Sequence, residues 1–145
     1  MSTRTVTASL HIPADPMAVY AAYTDVPNWP QWDPDTRAAA LLGPPAPGTW
    51  GWLQPARGLK VRMQVVQAEP GRCFHLVSPV LGSRMAFEHQ IDALPDGVRV
   101  THRVTFSGWL APWLMCTVGR PLQHQLPLTV QGLRRYLAAG ASAHG

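Results

Sequence analysis

Lysine is nearly absent from this chain: of twelve Lys and Arg residues only Lys60 is a lysine, and the net charge is +4. The arginines are scattered, and the only adjacent pair is Arg134-Arg135. Nucleic-acid binders gather basic charge on one face or helix, so this pattern speaks for a solvated surface and against a nucleic-acid partner. Cysteine is equally scarce. Cys73 and Cys116 stand alone without CxxC spacing, and both are expected to be reduced thiols. Long apolar runs are missing too: nothing approaches the roughly 18 residues of a membrane span, and MSTRTVTASLHIP lacks the apolar centre of a secretory leader. These absences imply a cytoplasmic protein without stable membrane insertion. No GxSxG element or Cys-His signature marks a nucleophile.

What is present is enough for one core. A chain of 145 residues, 46% hydrophobic and 14% charged, can bury roughly 70% of its unfolded surface. No repeat or linker divides it, so residues 1–145 are read as a single domain. Its ordered core is expected from about residue 3 to about residue 138, followed by a short C-terminal tail. Residues 3–12 alternate, with Val6, Ala8, Leu10 and Ile12 on one face, which predicts a half-buried first strand. Asp15-Pro16 is an N-cap followed by proline at the first helical position, opening a short helix that ends near Thr24. In Asp25–Pro34 three prolines exclude a regular helix, but one turn from Pro27 to Trp32 would bring Trp29 and Trp32 to one side. The two indoles either plug the end of the core or form a wall of a pocket.

Strands follow at 35–42, around Trp50 and Trp52, from Leu59 to Val65, and around Phe74 and Leu76, separated by Gly- and Pro-rich turns. From Ser83 to Ile91 the apolar face carries Met85, Phe87, His89 and Ile91. Leu94-Pro95-Asp96-Gly97 is a hairpin turn, and the returning strand puts Val98, Val100, His102, Val104 and Phe106 on one face. If Ala93 pairs with Val98, His89 sits directly opposite His102; a register shifted by two makes them diagonal neighbours. Finally Leu122, Leu126, Val130, Leu133 and Leu137 recur at helical spacing and form the apolar stripe of one long amphipathic helix. Pro112, Pro121 and Pro127 are expected to break or kink it, giving an irregular start at 109–119 and a longer helix from about Arg120 to Ala138.

A first strand, then ASLHIPADPMAVYAAYTDVPNWPQWDP, then GTWGWL, hairpins ending in DGVRVTHRVTFSG, and a C-terminal helix resemble the helix-grip proteins of the START and Bet v 1 superfamily (SRPBCC). Within it the pattern is most similar to the polyketide cyclase/dehydrase-like group of bacteria. The resemblance spans about Thr5 to Leu137, and its most specific part is Asp25, Trp29 and Trp32-Asp33 before the second strand, with the strand at Thr49. It implies an α+β fold, a curved antiparallel sheet of about seven strands in β-α-α-β6-α order wrapped around the last helix. It also implies an internal cavity for a hydrophobic or amphipathic small molecule, with no shared catalytic triad and no cofactor.

The candidate ligand-binding residues are Trp32, Trp50, Trp52, Met63, Phe74, Met85, Phe87, Val104 and Phe106 from the sheet side, with Leu126 and Val130 from the helix. Trp109 and Trp113 would be a rim or lid of the pocket, or the anchor of the helix start. His89 and His102 are the polar exceptions on this lining. They are either satisfied by neighbouring hydrogen bonds or they orient a ligand, or one acts as acid or base near the ordinary imidazole pKa of about 6.5. No metal is expected, because Cys73 and His75 fall on the opposite face from Phe74 and supply no third ligand. The leading expectation is a binding protein for a hydrophobic, aromatic or lipid-like small molecule, working as a monomer or weak homodimer. The alternatives are a cyclase/aromatase-type enzyme using the two histidines, and an interaction subunit acting through a sheet edge.

Overall fold

The computed structural model describes residues 3–144, with side chains described from 4 to 140. β1 (Thr3–Ile12) leads into α1 (Pro16–Thr24) and a 3₁₀ helix (Val26–Gln31). Six strands follow: β2 (Thr36–Leu41), β3 (Trp50–Pro55), β4 (Val61–Glu69), β5 (Cys73–Val80), β6 (Ser83–Leu94) and β7 (Gly97–Ser107). α2 (Ala111–Leu114), a π turn (Met115–Gly119) and α3 (Arg120–His144) complete the chain. The strands form one antiparallel sheet in the order β1-β7-β6-β5-β4-β3-β2, so β1 and β2 are its edges.

Local chemistry accounts for the elements. The Asp15 carboxylate accepts the Met17 N–H at 3.1 Å, and Pro16 occupies the first turn of α1 where an N–H would find no partner anyway. The Trp29 indole N–H donates to the Tyr23 carbonyl at 2.9 Å, which folds the 3₁₀ helix back onto α1. In the β6–β7 hairpin Leu94 pairs with Gly97 and Ala93 with Val98, which sets His89 directly opposite His102.

Two apolar clusters fill the space between sheet and helices. One gathers Val19, Tyr23, Trp29, Trp32, Phe74 and Leu133, and the other gathers Val6, Met85, Phe106, Leu114 and Leu122. The stripe on α3 serves both: Leu122 and Leu126 meet the second cluster, Val130 and Leu133 the first. Burying each such side chain contributes about 2 kcal/mol. Gly132 sits in this helix at a cost of about 1 kcal/mol relative to alanine, and the reason is steric. A Cβ there would run into the backbone carbonyl of Trp32, so α3 and the end of the 3₁₀ helix approach only because that side chain is missing.

The irregular start over 109–119 and the longer helix from Arg120 are there, but the prolines do not interrupt the path. The helical path starts at Ala111 rather than Trp109, with Pro112 in the first turn of α2, and continues through Pro121 and Pro127. The one irregularity is the π turn, where the Arg120 N–H reaches back to the Met115 carbonyl. The hydrogen-bond ladder is thus already shifted just before Pro121, which brings no N–H. The bond lost at Pro127 frees the carbonyl of Gln123, an exposed residue whose oxygen water can satisfy. α3 also continues to His144, so residues 139–144 are helical rather than a tail; Gly145 lies outside the described residues.

Candidate functional site

The site grows from the pairing of β6 with β7. Because His89 faces His102 across the ladder, their rings stand edge to face with centroids 4.8 Å apart. α1 lays Tyr23 over the pair, and its hydroxyl lies 2.8 Å from His102 Nε2. Tyr23 is fully buried and its hydroxyl has no other partner, so it must donate, and His102 then accepts at Nε2 and carries its proton on Nδ1. His89 Nδ1–H donates to the Phe74 carbonyl at 2.8 Å, which leaves His89 Nε2 as an acceptor. Neither His102 Nδ1 nor His89 Nε2 has a protein partner, and neither is sealed in; the only sealed, unpartnered side-chain atom among the described residues is His75 Nε2.

Burial pushes the His89 pKa down to about 4, outweighing the hydrogen bond to Phe74, and burial followed by the neighbouring His89 pushes His102 down as well. Both rings are therefore neutral at neutral pH. The expectation of a histidine poised near its ordinary pKa is corrected: together they offer one donor and one acceptor, and little basicity.

These atoms border a chamber of about 90 Å³ between the sheet and α3. Of the residues expected to line it, Trp32, Met63, Phe87, His89, His102, Val104 and Leu126 do so. Phe74, Met85, Phe106 and Val130 are packed into the two clusters instead, Phe74 edge-on against Tyr20 at 6.4 Å. Trp50 and Trp52 point away. On β3 it is Gly51 and Leu53 that pair with the inward Met63 and Val61 of β4, so the two indoles lie on the outer face. There they carry cations over their rings, Arg62 at 5.2 Å from Trp50 and Lys60 at 4.2 Å from Trp52. Trp109 and Trp113 are 71% and 58% exposed and outside the chamber, so they form no lid; the Trp109 indole donates to the Leu81 carbonyl at 2.8 Å.

The wall also contains polar groups that the sequence reading left out. Asp33 accepts three hydrogen bonds, from Asp35 N–H at 3.0 Å, Thr36 Oγ1 at 2.7 Å and Thr129 Oγ1 at 2.9 Å, and so ties α3 to the loop before β2. Asp35 lines the chamber as well, and its carboxylate has no partner. Burial, and then the like charge of Asp33, raises its pKa to about 6. Trp29, Leu53, Val61, Leu76 and Leu122 complete the apolar wall. The Trp29 and Trp32 rings, 6.3 Å apart, therefore do both things the sequence allowed, filling the core and bounding the chamber. No group of three potential ligands for a metal occurs among the described residues.

A curved antiparallel sheet closed by its C-terminal helix over a mostly apolar chamber is the helix-grip architecture. Solved structures share it across most of their length. Ara h 8.0201 superposes with a TM-score of 0.73 at 14% identity, covering 95% of this chain and 99% of its own. Protein MLL2253 from Mesorhizobium loti gives 0.75 at 18%, covering 94% and 98%. Norcoclaurine synthase from Thalictrum flavum, in complex with dopamine and hydroxybenzaldehyde, gives 0.71 at 11%, covering 95% and 88%. At these identities the likeness is one of fold. The chain belongs to the family described as polyketide cyclase / dehydrase and lipid transport, whose model matches residues 3–138, within the START/Bet v 1-like group. No curated protein matches the sequence. No helix among the described residues is long and apolar enough to cross a membrane.

Proposed function

We propose that the protein binds a small, largely apolar molecule of aromatic or lipid-like character in the chamber between the sheet and α3. The observation that carries this is the neutral His89–His102 pair: a buried and a half-buried imidazole, each with one ring nitrogen unpartnered, on a mostly apolar wall. An apolar concavity with a few convergent polar atoms is what recognition of a small molecule needs. Size limits the occupant. At about 90 Å³ the chamber falls short of the roughly 300–1,000 Å³ of a drug-sized site. It suits a small ligand as it stands, and a longer one only after Met63, Leu122 and Leu126 move aside. Native mass spectrometry of protein purified from its own host tests the reading, with a co-purifying small molecule as the expected result. A bare mass, together with tryptophan fluorescence unmoved by small aromatic probes, overturns it.

A second reading, acid-base catalysis of the cyclase/dehydratase type, is favoured by Asp35, whose pKa of about 6 suits proton transfer better than the weakly basic histidines. Turnover of a cyclisation substrate that survives His89→Asn/His102→Asn but is lost in Asp35→Asn supports it; no turnover by the parent protein removes it. We place the protein in the cytoplasm as a monomer or weak homodimer. Association through the edge strands β1 or β2 would show as a sedimentation coefficient that rises with concentration.

A further inference from the structure

Charged residues of both signs border the chamber, Asp33, Asp35, Glu88 and Arg103, with acid in excess. Asp33 and Asp35 are both partly exposed, and they are the wall's carboxylates without a cation. Glu88 and Arg103 are paired with each other at 3.4 Å and alternate with the histidines along β6 and β7, so Arg103 is already engaged. Asp33 accepts three hydrogen bonds, whereas the Asp35 carboxylate meets no donor. A half-buried anion beside a second anion is costly to hold, and a ligand cation is what would relieve it. A ligand carboxylate at that end would meet like charge instead.

An independent observation points the same way into the chamber. His102 is only 2% exposed, borders the cavity, and leaves Nδ1–H without an acceptor, while His89 beside it leaves Nε2 without a donor. One donor and one acceptor side by side match a hydroxyl, which both gives and takes a hydrogen bond. The rest of the wall is mostly aromatic and aliphatic, and it includes Trp29, Trp32 and Phe87.

We infer that the preferred ligand is a single-ring aromatic cation, with its ring against Trp29, Trp32 and Phe87, a ring hydroxyl on the histidine pair, and a protonated amine at Asp35. This rests on the chamber being a ligand site at all, and three probes of one shape separate the two ideas: tyramine, the neutral alcohol tyrosol, and the anion 3-(4-hydroxyphenyl)propionate. Calorimetric titration of the full chain at neutral pH is expected to rank them in that order. The step from tyrosol to tyramine should be about tenfold, as for one charge-assisted hydrogen bond. In Asp35→Asn the gap between tyramine and tyrosol should close, and Asp35→Glu should keep part of the preference. Tyrosol binding as well as tyramine to the parent protein overturns the inference and leaves the binding site standing. A tyramine preference that persists in Asp35→Asn also overturns it. If none of the three binds, both readings fall; if Asp35→Asn does not fold, the ranking on the parent protein and the Asp35→Glu result decide.

Discussion

Acidification should strike this protein first at the histidine pair. The folded-state pKa of His89 is about 4, against about 6.5 in an unfolded chain. As the pH falls below about 6.5, the unfolded state takes up protons that the folded state refuses. Stability present at neutral pH is therefore lost progressively through that window, and the His89 share is gone once the pH passes its folded pKa near 4. The difference corresponds to about 3 kcal/mol from His89, and His102, shifted the same way by burial, adds to it. Asp35 works in the opposite sense. Its folded pKa of about 6 lies above the ordinary carboxylate value, so its protonation favours the fold as the pH falls toward about 4. Solvent reaches that group, which trims its effect. For a chain of this size about 3 kcal/mol translates to a drop in Tm of roughly 10 °C. Thermal melts by circular dichroism at stepped pH should show this drop between about pH 7 and about pH 4, steeper in Asp35→Asn and flattened in His89→Gln/His102→Gln. A parent protein whose Tm does not move over that range, or a double variant with the same slope, refutes the assignment of two neutral imidazoles.

Other consequences are equally direct. Tyr23→Phe removes the O–H that His102 Nε2 accepts and should cost about 1–3 kcal/mol in denaturant unfolding; nitrogen shifts of the imidazoles should show the proton of His102 no longer confined to Nδ1. Gly132→Ala pushes a methyl group at the Trp32 carbonyl and should cost about 1–3 kcal/mol despite the better helix propensity of alanine, with displaced indole signals from Trp32. Thr129→Val deletes one of the three bonds to Asp33, and amide exchange should accelerate in α3 and the loop before β2 with a loss of about 1.5–3 kcal/mol. Trp50→Ser and Trp109→Ser should leave ligand affinity where it was, because both side chains lie outside the chamber.

Much of the architecture was legible where a pattern has one geometric solution. Alternation in β1, β6 and β7 assigns their inward faces, and the hairpin at Pro95-Asp96 puts His89 within reach of His102, in the direct register that is one of the two it allows. β3 misled because Trp50-Gly51-Trp52 offers two large apolar side chains against none. Hydrophobicity alone sends the indoles inward, while the backbone requires the glycine there: a Cβ on Gly51 would meet the Ala40 carbonyl, and the indoles find cations outside. Period-2 reasoning assigns residues to a common face but leaves open which face is the core. The prolines misled for a related reason, since a π turn that absorbs a missing N–H has no residue signature of its own. Asp33 was noticed only within the Trp32-Asp33 fold marker, and Asp35 not at all. Asp33 precedes the strand read at 35–42 and Asp35 is its first residue, just ahead of the Thr36 at which β2 begins, so nothing in the spacing shows that α3 brings Thr129 to one and leaves the other bare.

The π turn also sets a phase. A π turn is an α-helix carrying one extra residue, so Leu114 and Leu122, eight positions apart in the chain, behave as if seven apart and share a face. In an uninterrupted α-helix eight positions would set them about 80° apart around the axis, against about 20° here. The residue count between Ala111 and Arg120 is therefore a structural parameter in its own right. Deleting one residue there would turn the segment into plain α-helix and keep both leucines on one line, whereas inserting one would set them about 80° apart and pull one toward the edge of the buried stripe.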